Sequence, residues 1–215
     1  MIAVLAGTPI DTSMGVKFVE ENGFEAQGYF VSRTPEEQSL LQVVYPDKLN
    51  LKVHEIISSM KSIGIKTVFV YCNSLSAAVD MDKISSELEI QIITPLQIYL
   101  ELGKEYRCLG VIAANNQSTY GIERSIQERN KETHVIGTGM LKLVSAVESG
   151  ILPKELIEFY HLGELLNFYA NAGCEAVILG CTHFSYFYEE LNKISPLPLI
   201  DPTKSMLLKL KEPIN

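Results

Sequence analysis

The sequence predicts an α/β protein made of two similar lobes with mainly parallel sheets. The first observation is that short runs of β-branched and aromatic residues alternate with segments whose apolar residues recur at helical spacing. The second is that the whole order of runs appears twice along the chain of 215 residues. Strands that alternate with helices in this way are typical of parallel sheets covered on both faces.

Each element follows from its own local pattern. Buried runs such as TVFVYC (67–72) predict strands, and LNLKVHEIISSMKSIG (49–64), which ends in glycine, predicts a helix. In the first half the predicted strands are 2–7, 26–32, 67–72 and 90–95, and the predicted helices are 12–23, 49–64 and 74–88. In the second half the predicted strands are 109–114, 134–139, 176–181 and 197–201, and the predicted helices are 118–130, 152–173 and 185–194.

The recurrence indicates an internal duplication. Gly28 and Gly137 are separated by 109 residues, and Cys72 and Cys181 are separated by the same distance along the chain. Other matched segments, such as ITP and IDP near the two lobe ends, differ from this offset by only two residues. Small differences of this kind are what a duplicated domain acquires through loop changes.

The repeat predicts the domain boundaries. The first lobe is expected at residues 1–97 and the second at 98–202. The remaining segment, 203–215, has an apolar face. It is expected either to pack back onto the first lobe or to fray.

Composition and charge exclude several classes of protein. With 47% hydrophobic and 20% charged residues, the chain has the balance of a soluble globular protein, and no apolar run is long enough to span a membrane. The net charge of −8 argues against nucleic acid and anionic membranes as partners. The N-terminus does not resemble a signal peptide, so the four cysteines are expected to be reduced in the cytoplasm, where a special cysteine is catalytic or metal-binding.

Two cysteines occupy corresponding places at the ends of predicted strands. Cys72 lies in VFVYCNSLS (68–76) and Cys181 in VILGCTHFS (177–185). Ligands of paired α/β lobes bind in the crevice at the carboxyl ends of the strands. Two thiols that face one ligand from opposite sides can invert a carbon centre, because one removes a proton while the other donates one. This chemistry requires neither a metal nor a cofactor.

The motifs YCNSLS (71–76) and LGCTHF (179–184), at this separation, resemble the paired cysteine motifs of the cofactor-independent aspartate/glutamate racemase superfamily. The resemblance extends over both lobes. It implies two Rossmann-like lobes with the active site in the cleft between them, and a small acidic amino acid as substrate. It also implies two-base proton transfer at Cα without pyridoxal phosphate and, as is usual in the superfamily, a homodimer.

The resemblance implies roles for individual residues as well. Cys72 and Cys181 are the expected acid/base pair. His183 resembles the histidine that assists the second cysteine, and LKLVSAVESG (141–150) resembles the segment with an assisting glutamate, here Glu148. The residues expected to bind the substrate in these motifs and in the first loop are Thr8, Asn73, Ser74 and Thr182.

Two further loops supply candidates by their position. Five consecutive polar residues (115–119) follow the first strand of the second half, and Ser118 and Thr119 are expected to contact a carboxylate. The residues of the first half that either line the cleft or cap the next helix are Asp11, Thr12 and Ser13.

The chain departs from glutamate racemases at two places. It has Ala6-Gly7-Thr8-Pro9 where those enzymes usually have Asp-Ser, which removes the acidic residue expected beside the first cysteine. The segment SRTPEEQ (32–38) stands in place of their Pro-Tyr-Gly. Arg33 in this segment either pairs with a distal carboxylate, in analogy with an arginine of aspartate racemases, or is an exposed loop residue. Glu148 has a similar alternative as a solvated helix residue.

Other functions compete with this interpretation. A zinc site is disfavoured because no Cys-x-x-Cys occurs, and a regulatory disulfide between Cys72 and Cys181 conflicts with substrate access. Within the superfamily, hydantoin racemases and maleate isomerases also use two cysteines, whereas arylmalonate decarboxylases use one. A different class is a non-catalytic protein that binds a small carboxylate between its lobes, and the two cysteines argue against it.

Overall fold

The structure is a computed structural model that describes residues 1–211. Its strands are β1 (Ile2–Ala6), β2 (Ala26–Phe30), β3 (Thr67–Val70), β4 (Gln91–Ile93), β5 (Cys108–Ala113), β6 (His134–Gly139), β7 (Ala176–Gly180) and β8 (Leu199–Ile200). They form two parallel four-stranded sheets with the orders β2-β1-β3-β4 and β6-β5-β7-β8. The two sheets have the same topology, so the predicted α/β fold with two similar lobes is confirmed.

Helices cover both faces of each sheet. In the first half they are α1 (Pro9–Glu21), α2 (Pro35–Val43), α3 (Pro46–Ser62), α4 (Asn73–Ala78), α5 (Met81–Leu88) and α6 (Leu96–Leu102). In the second half they are α7 (Asn116–Arg129), α8 (Leu141–Glu148), α9 (Pro153–Phe159), α10 (Leu162–Asn171), a 3₁₀ helix (Thr182–Phe187), α11 (Tyr188–Asn192) and α12 (Thr203–Leu210). Residues 1–211 contain no helix of the length and apolar character that crossing a membrane requires.

The strand registers reproduce the offset found in the sequence. Val4 of β1 lies opposite Gly28 of β2, and Val111 of β5 lies opposite Gly137 of β6. The two glycines that match in the sequence therefore occupy the same position in the two sheets. This agreement in register supports a common origin of the two lobes.

The central strands of the two sheets are buried on both faces, and their side chains alternate between two apolar clusters. In β3, Val70 belongs to one cluster and Phe69 to the other. Cys72 follows Val70 on the same face, and Cys181 follows Leu179 on the corresponding face of β7. Strand periodicity alone thus places the two thiols equivalently in the two lobes.

Some predicted helices are divided. The predicted helix 74–88 is interrupted because Asp80 accepts a hydrogen bond from the backbone N–H of Lys83 and begins α5. The predicted helix 152–173 is interrupted at His161, which lies between α9 and α10 with a φ of 52°.

Helix α2 lies in a segment where the sequence patterns predict no helix. Thr34 caps it by accepting a hydrogen bond from the N–H of Glu37 at 3.2 Å, and Pro35 occupies its first turn. Its buried positions include two polar residues, Gln38 and Gln42. A helix whose buried face is polar has no apolar period by which the sequence would reveal it.

The last helix, α12, lies against the first sheet. Its Met206 is fully buried in the cluster that contains Val4, Phe69 and Ile93. The predicted segment 203–215 extends beyond α12, and its residues 212–215 lie outside the described part of the chain.

Candidate active site

A small cavity lies at the carboxyl ends of the central strands and is lined by residues of both halves. The first half lines it with Gly7, Thr8, Asp11, Pro35, Gln38, Ser39, Gln42, Cys72, Asn73 and Ser74. The second half lines it with Ala114, Asn115, Leu141, Val144, Cys181 and His183. Its volume is about 20 Å³, which is room for about one water molecule. A ligand much larger than a water molecule therefore fits only when the elements around the cavity move apart.

The two cysteines reach the cavity from equivalent positions. Cys72 follows β3 and precedes α4, and Cys181 follows β7 and precedes the 3₁₀ helix. Both have extended backbone, and their exposed fractions are 5% and 6%. Each strand delivers a thiol to its carboxyl end, and the following helix turns the chain away from the cavity.

Ionisable side chains surround Cys181. The Nδ1 atom of His183 lies 3.6 Å from Cys181 Sγ, and the Nε2 atom of the same ring lies 2.8 Å from Glu148 Oε1. Thr8 of the first half donates a hydrogen bond to the same Glu148 oxygen. The structure therefore brings together four residues that the sequence proposed for the site.

Asp11 joins this group from the first turn of α1. It is 1% exposed, and its Oδ1 accepts a hydrogen bond from Thr182 Oγ1 at 2.8 Å and lies 3.6 Å from His183 Nδ1. The helix cap is Thr8, whose Oγ1 accepts from the N–H of Asp11 at 3.2 Å. Of the two roles left open by the sequence, Asp11 thus lines the cavity, and it supplies a carboxylate although Gly7 stands where an aspartate is usual.

The electrostatic environment favours a charged His183. Burial opposes the charge, but the negative charges of Asp11 and Cys181 and the hydrogen bonds to Cys181 and Glu148 outweigh it and raise the pKa of His183 well above its ordinary value. Burial in turn raises the pKa of Asp11, although the charge of His183 partly opposes this shift. An imidazolium beside Cys181 is a suitable partner for a thiolate.

Neutral groups surround Cys72. Its Sγ lies 3.4 Å from Ser74 Oγ, which accepts a hydrogen bond from Gln42 Nε2 at 2.8 Å. Asn73 Oδ1 accepts a hydrogen bond from Tyr99 Oη at 2.6 Å, and Asn73 Nδ2 has no partner. Burial, assisted by the negative charge of Asp11, raises the pKa of the Cys72 thiol. The two thiols therefore differ in their neighbours: Cys72 is held as a protonated thiol among neutral groups, and Cys181 lies beside a charged histidine.

Four predicted substrate-binding residues, Arg33, Ser118, Thr119 and Thr182, do not line the cavity. Ser118 donates hydrogen bonds from N and Oγ to Asn115 Oδ1, and Thr119 Oγ1 donates to the carbonyl of Asn116. Arg33 is exposed. A role for these four in binding substrate stays a prediction.

The sequence reasoning missed the contribution of α2 to the cavity. Gln38, Ser39 and Gln42 line it, and Asn115 Nδ2 donates to Ser39 Oγ and to Gln42 Oε1, both at 3.0 Å. The available signal was the Thr34-Pro pair, which is typical of a helix start. Within residues 1–211, no three His, Cys, Asp or Glu side chains form a group that could hold a metal ion.

Curated relatives of similar sequence are named glutamate racemase. The chain is 29% identical to one from Clostridium botulinum over 151 residues, which is 67% of this chain and 58% of that protein. It is 27% identical to one from Limosilactobacillus reuteri over 191 residues, which is 86% of this chain and 67% of that protein. The chain thus spans only part of the length of these relatives.

Solved structures of similar fold include a glutamate racemase and an allantoin racemase. Glutamate racemase from Francisella tularensis, in complex with D-glutamate, has a TM-score of 0.76 at 19% identity, over 98% of this chain and 79% of that one. Allantoin racemase from Klebsiella pneumoniae has a TM-score of 0.65 at 11% identity, over 98% of this chain and 86% of that one. At such identities the likeness shows a shared fold. The family model for Asp/Glu/Hydantoin racemase matches residues 47–209, and the chain therefore belongs to this family.

Proposed function

We propose that this protein is a cofactor-independent racemase that inverts Cα of an acidic amino acid, with Cys72 and Cys181 as the two bases. The observation that carries the proposal is that two buried thiols, at equivalent strand ends of two similar lobes, line one cavity. Glutamate is the first substrate to test, because the curated relatives are named glutamate racemase.

The unequal environments of the thiols suggest their roles in one direction of the reaction. Cys72, whose pKa is raised by burial, is the acid, and Cys181, beside the charged His183, is the base. In one direction the Cα–H bond breaks and its proton passes to Cys181 Sγ, while the S–H proton of Cys72 passes to the opposite face of Cα. The reverse reaction uses the thiols in exchanged roles, so that each enantiomer meets a base on one face and an acid on the other.

The carboxylates are positioning residues in this scheme. Glu148 holds the imidazole of His183 from the side opposite Cys181, at 2.8 Å from Nε2. Asp11 lies near the other ring nitrogen and is itself oriented by Thr182. Both keep the histidine charged and directed at the thiol.

The test is proton NMR in D₂O combined with chiral chromatography, using both enantiomers of glutamate and of aspartate with protein free of pyridoxal phosphate. We expect loss of the α-proton signal and formation of the opposite enantiomer. Cys72→Ser and Cys181→Ser should each lower racemisation by about 10²–10⁴-fold, because each removes one acid/base group. Each single variant should still exchange the α-proton of only the enantiomer whose proton faces the remaining thiol.

The other two cysteines provide the control. Cys108 and Cys174 lie outside the cavity lining, with their Sγ atoms 3.6 Å apart. Cys108→Ser and Cys174→Ser should leave the rate unchanged. Racemisation at the wild-type rate in Cys72→Ser or Cys181→Ser would contradict the two-base mechanism.

A second candidate is racemisation of a neutral cyclic substrate of the hydantoin type. The observation in its favour is that the residues lining the cavity include four side-chain amides and no lysine or arginine. The same assay with 5-substituted hydantoins decides between an acidic amino acid and a hydantoin as the substrate. Turnover of a hydantoin without turnover of glutamate or aspartate would replace the first proposal by the second.

A further inference from the structure

Two buried side-chain amides beside Cys72 have an NH₂ nitrogen without a hydrogen-bond partner. In residues 1–211 the buried side-chain atoms without a partner are four in number, and Gln38 Nε2 and Asn73 Nδ2 belong to residues that line the cavity. Burying an unpaired donor is costly, so such atoms in a cavity are expected to meet a ligand. Asn73 belongs to the cysteine motif, whereas Gln38 comes from α2.

The amide of Gln38 is held in place beside the first thiol. The residue is 5% exposed, and its Oε1 lies 3.0 Å from Ser32 Oγ, which leaves Nε2 on the unpaired side. A Cβ atom placed on Gly7 would lie 3.4 Å from Gln38 Cδ and 3.5 Å from Cys72 Sγ. The absence of a side chain at position 7 therefore makes the space in which the Gln38 amide and the thiol lie near each other.

The described residues that line the cavity include no lysine or arginine that could pair with a substrate carboxylate. Arg33 is exposed and lies outside this lining. The carboxylates Asp11 and Glu148 on the other side face His183. Both ring nitrogens of His183 are thus already engaged, so a carboxylate that enters the cavity needs uncharged N–H groups, and Gln38 offers one that is already buried and free.

We propose that Gln38 binds the substrate by donating a hydrogen bond from Nε2 to a carboxylate oxygen. Arg33 is the candidate for this role in the sequence. The proposal rests on the proposed function in that the substrate is an acidic amino acid. Gln38 is carried on α2, the helix that also contacts Asn115 of the second half through Ser39 and Gln42.

The experiment compares Gln38→Leu, Gln38→Glu and Arg33→Ala with the wild type. Calorimetry measures the binding of D-glutamate and of glutarate, a dicarboxylate that has no amino group and cannot be racemised. Gln38→Leu should weaken both ligands about ten-fold or more, because a hydrogen bond to a charged group is lost. Gln38→Glu should weaken them further at pH 7.5 through repulsion, and by less at pH 5, where more of the new carboxyl carries a proton. Leu40→Ala, on the exposed side of α2, is the matched control and should bind as the wild type does.

The outcomes separate this proposal from the proposed function. If glutamate is racemised and Gln38→Leu binds both ligands as tightly as the wild type, the role of Gln38 is overturned and the racemase stands. Weakening by Arg33→Ala in place of Gln38→Leu would likewise overturn it. If nothing is racemised but glutarate binds in a Gln38-dependent manner, the recognition role holds and the racemase proposal fails.

Discussion

At the scale of single residues, the two cysteines share a backbone position but have different neighbours. Cys181 has the His183 ring at 3.6 Å, whereas Cys72 has a serine hydroxyl at 3.4 Å. Strand geometry makes the thiols equivalent, and the side chains brought in by other elements make them unequal. The difference has a consequence for stability that can be measured without any substrate.

The Cys72 thiol should make the stability of the protein fall at alkaline pH. Its pKa is raised in the folded state, chiefly by burial, so above about pH 8.5 the unfolded chain releases this proton while the folded chain retains it. The stabilisation is complete below that pH and is lost as pH rises toward the folded-state pKa. Urea unfolding of reduced wild type and Cys72→Ser should show a difference in free energy that falls by about 1.4 kcal/mol per pH unit above pH 9.

The comparison with Cys72→Ser isolates this thiol, because the wild type and the variant contain the same tyrosines and lysines that titrate in this range. A difference in unfolding free energy between the two proteins that stays constant from pH 8 to pH 10.5 would contradict the raised pKa of Cys72. They would indicate that the thiol ionises in the folded state at an ordinary pH.

At the scale of elements, α2 covers the cavity and connects the two halves of the protein across it. One face of this helix lines the cavity, and its residues bond to the second half through Glu36 with Ser145, and through Ser39 and Gln42 with Asn115. These contacts join α2 to α8 and to the loop before α7. Since the cavity holds only about one water molecule, we expect entry of a larger ligand to require these bonds to open.

Ser145→Ala should loosen α2 without touching the cavity. Ser145 Oγ donates to Glu36 Oε1 at 2.5 Å, and this bond lowers the pKa of the Glu36 carboxyl. Because the pair lies near the surface, its loss should cost about 0.5–1 kcal/mol. Amide hydrogen exchange in residues 35–43 should therefore become about two- to five-fold faster.

The control for this experiment is Ser149, which directly follows α8. Ser149 is exposed, and its hydroxyl donates to the backbone carbonyl of Ser145, so Ser149→Ala leaves the contact with α2 in place. Equal exchange in residues 35–43 for wild type, Ser145→Ala and Ser149→Ala would show that this contact does not hold α2 closed.

At the scale of the whole molecule, the two lobes meet closely where α4 and α7 pack together. A Cβ atom on Gly121 of α7 would lie only 2.3 Å from the Cβ of Ala77 in α4. Helix α4 begins directly after Cys72, and α7 begins after Asn115, which also lines the cavity. The distance between these helices therefore sets the distance between the two sides of the site.

Gly121→Ala should push the lobes apart. Overpacking costs about 1–3 kcal/mol, and an approach of 2.3 Å between two Cβ atoms belongs to the upper part of that range. The cost is then larger than the gain of about 1 kcal/mol that alanine brings to a helix. We expect a lower free energy of unfolding in urea and, if the proposed function holds, a lower kcat. Gly163→Ala in α10 is the matched control, because its Cβ would meet only the flexible end of Ile194 at 3.3 Å. Equal stability of the two variants would contradict close packing of α4 on α7.

The sequence by itself determined the fold class, the repeat and the position of the two cysteines. Periodicity and residue type act over a few neighbouring residues, and a duplicated pattern carries its register with it, as Gly28 and Gly137 show. The tertiary structure alone decided which side chains surround each thiol. Asp11 reaches Thr182 across 171 residues of chain, and Gln38 reaches the cavity from a helix whose buried face is polar. These contacts depend on how two lobes pack, and no local period in the sequence encodes that packing.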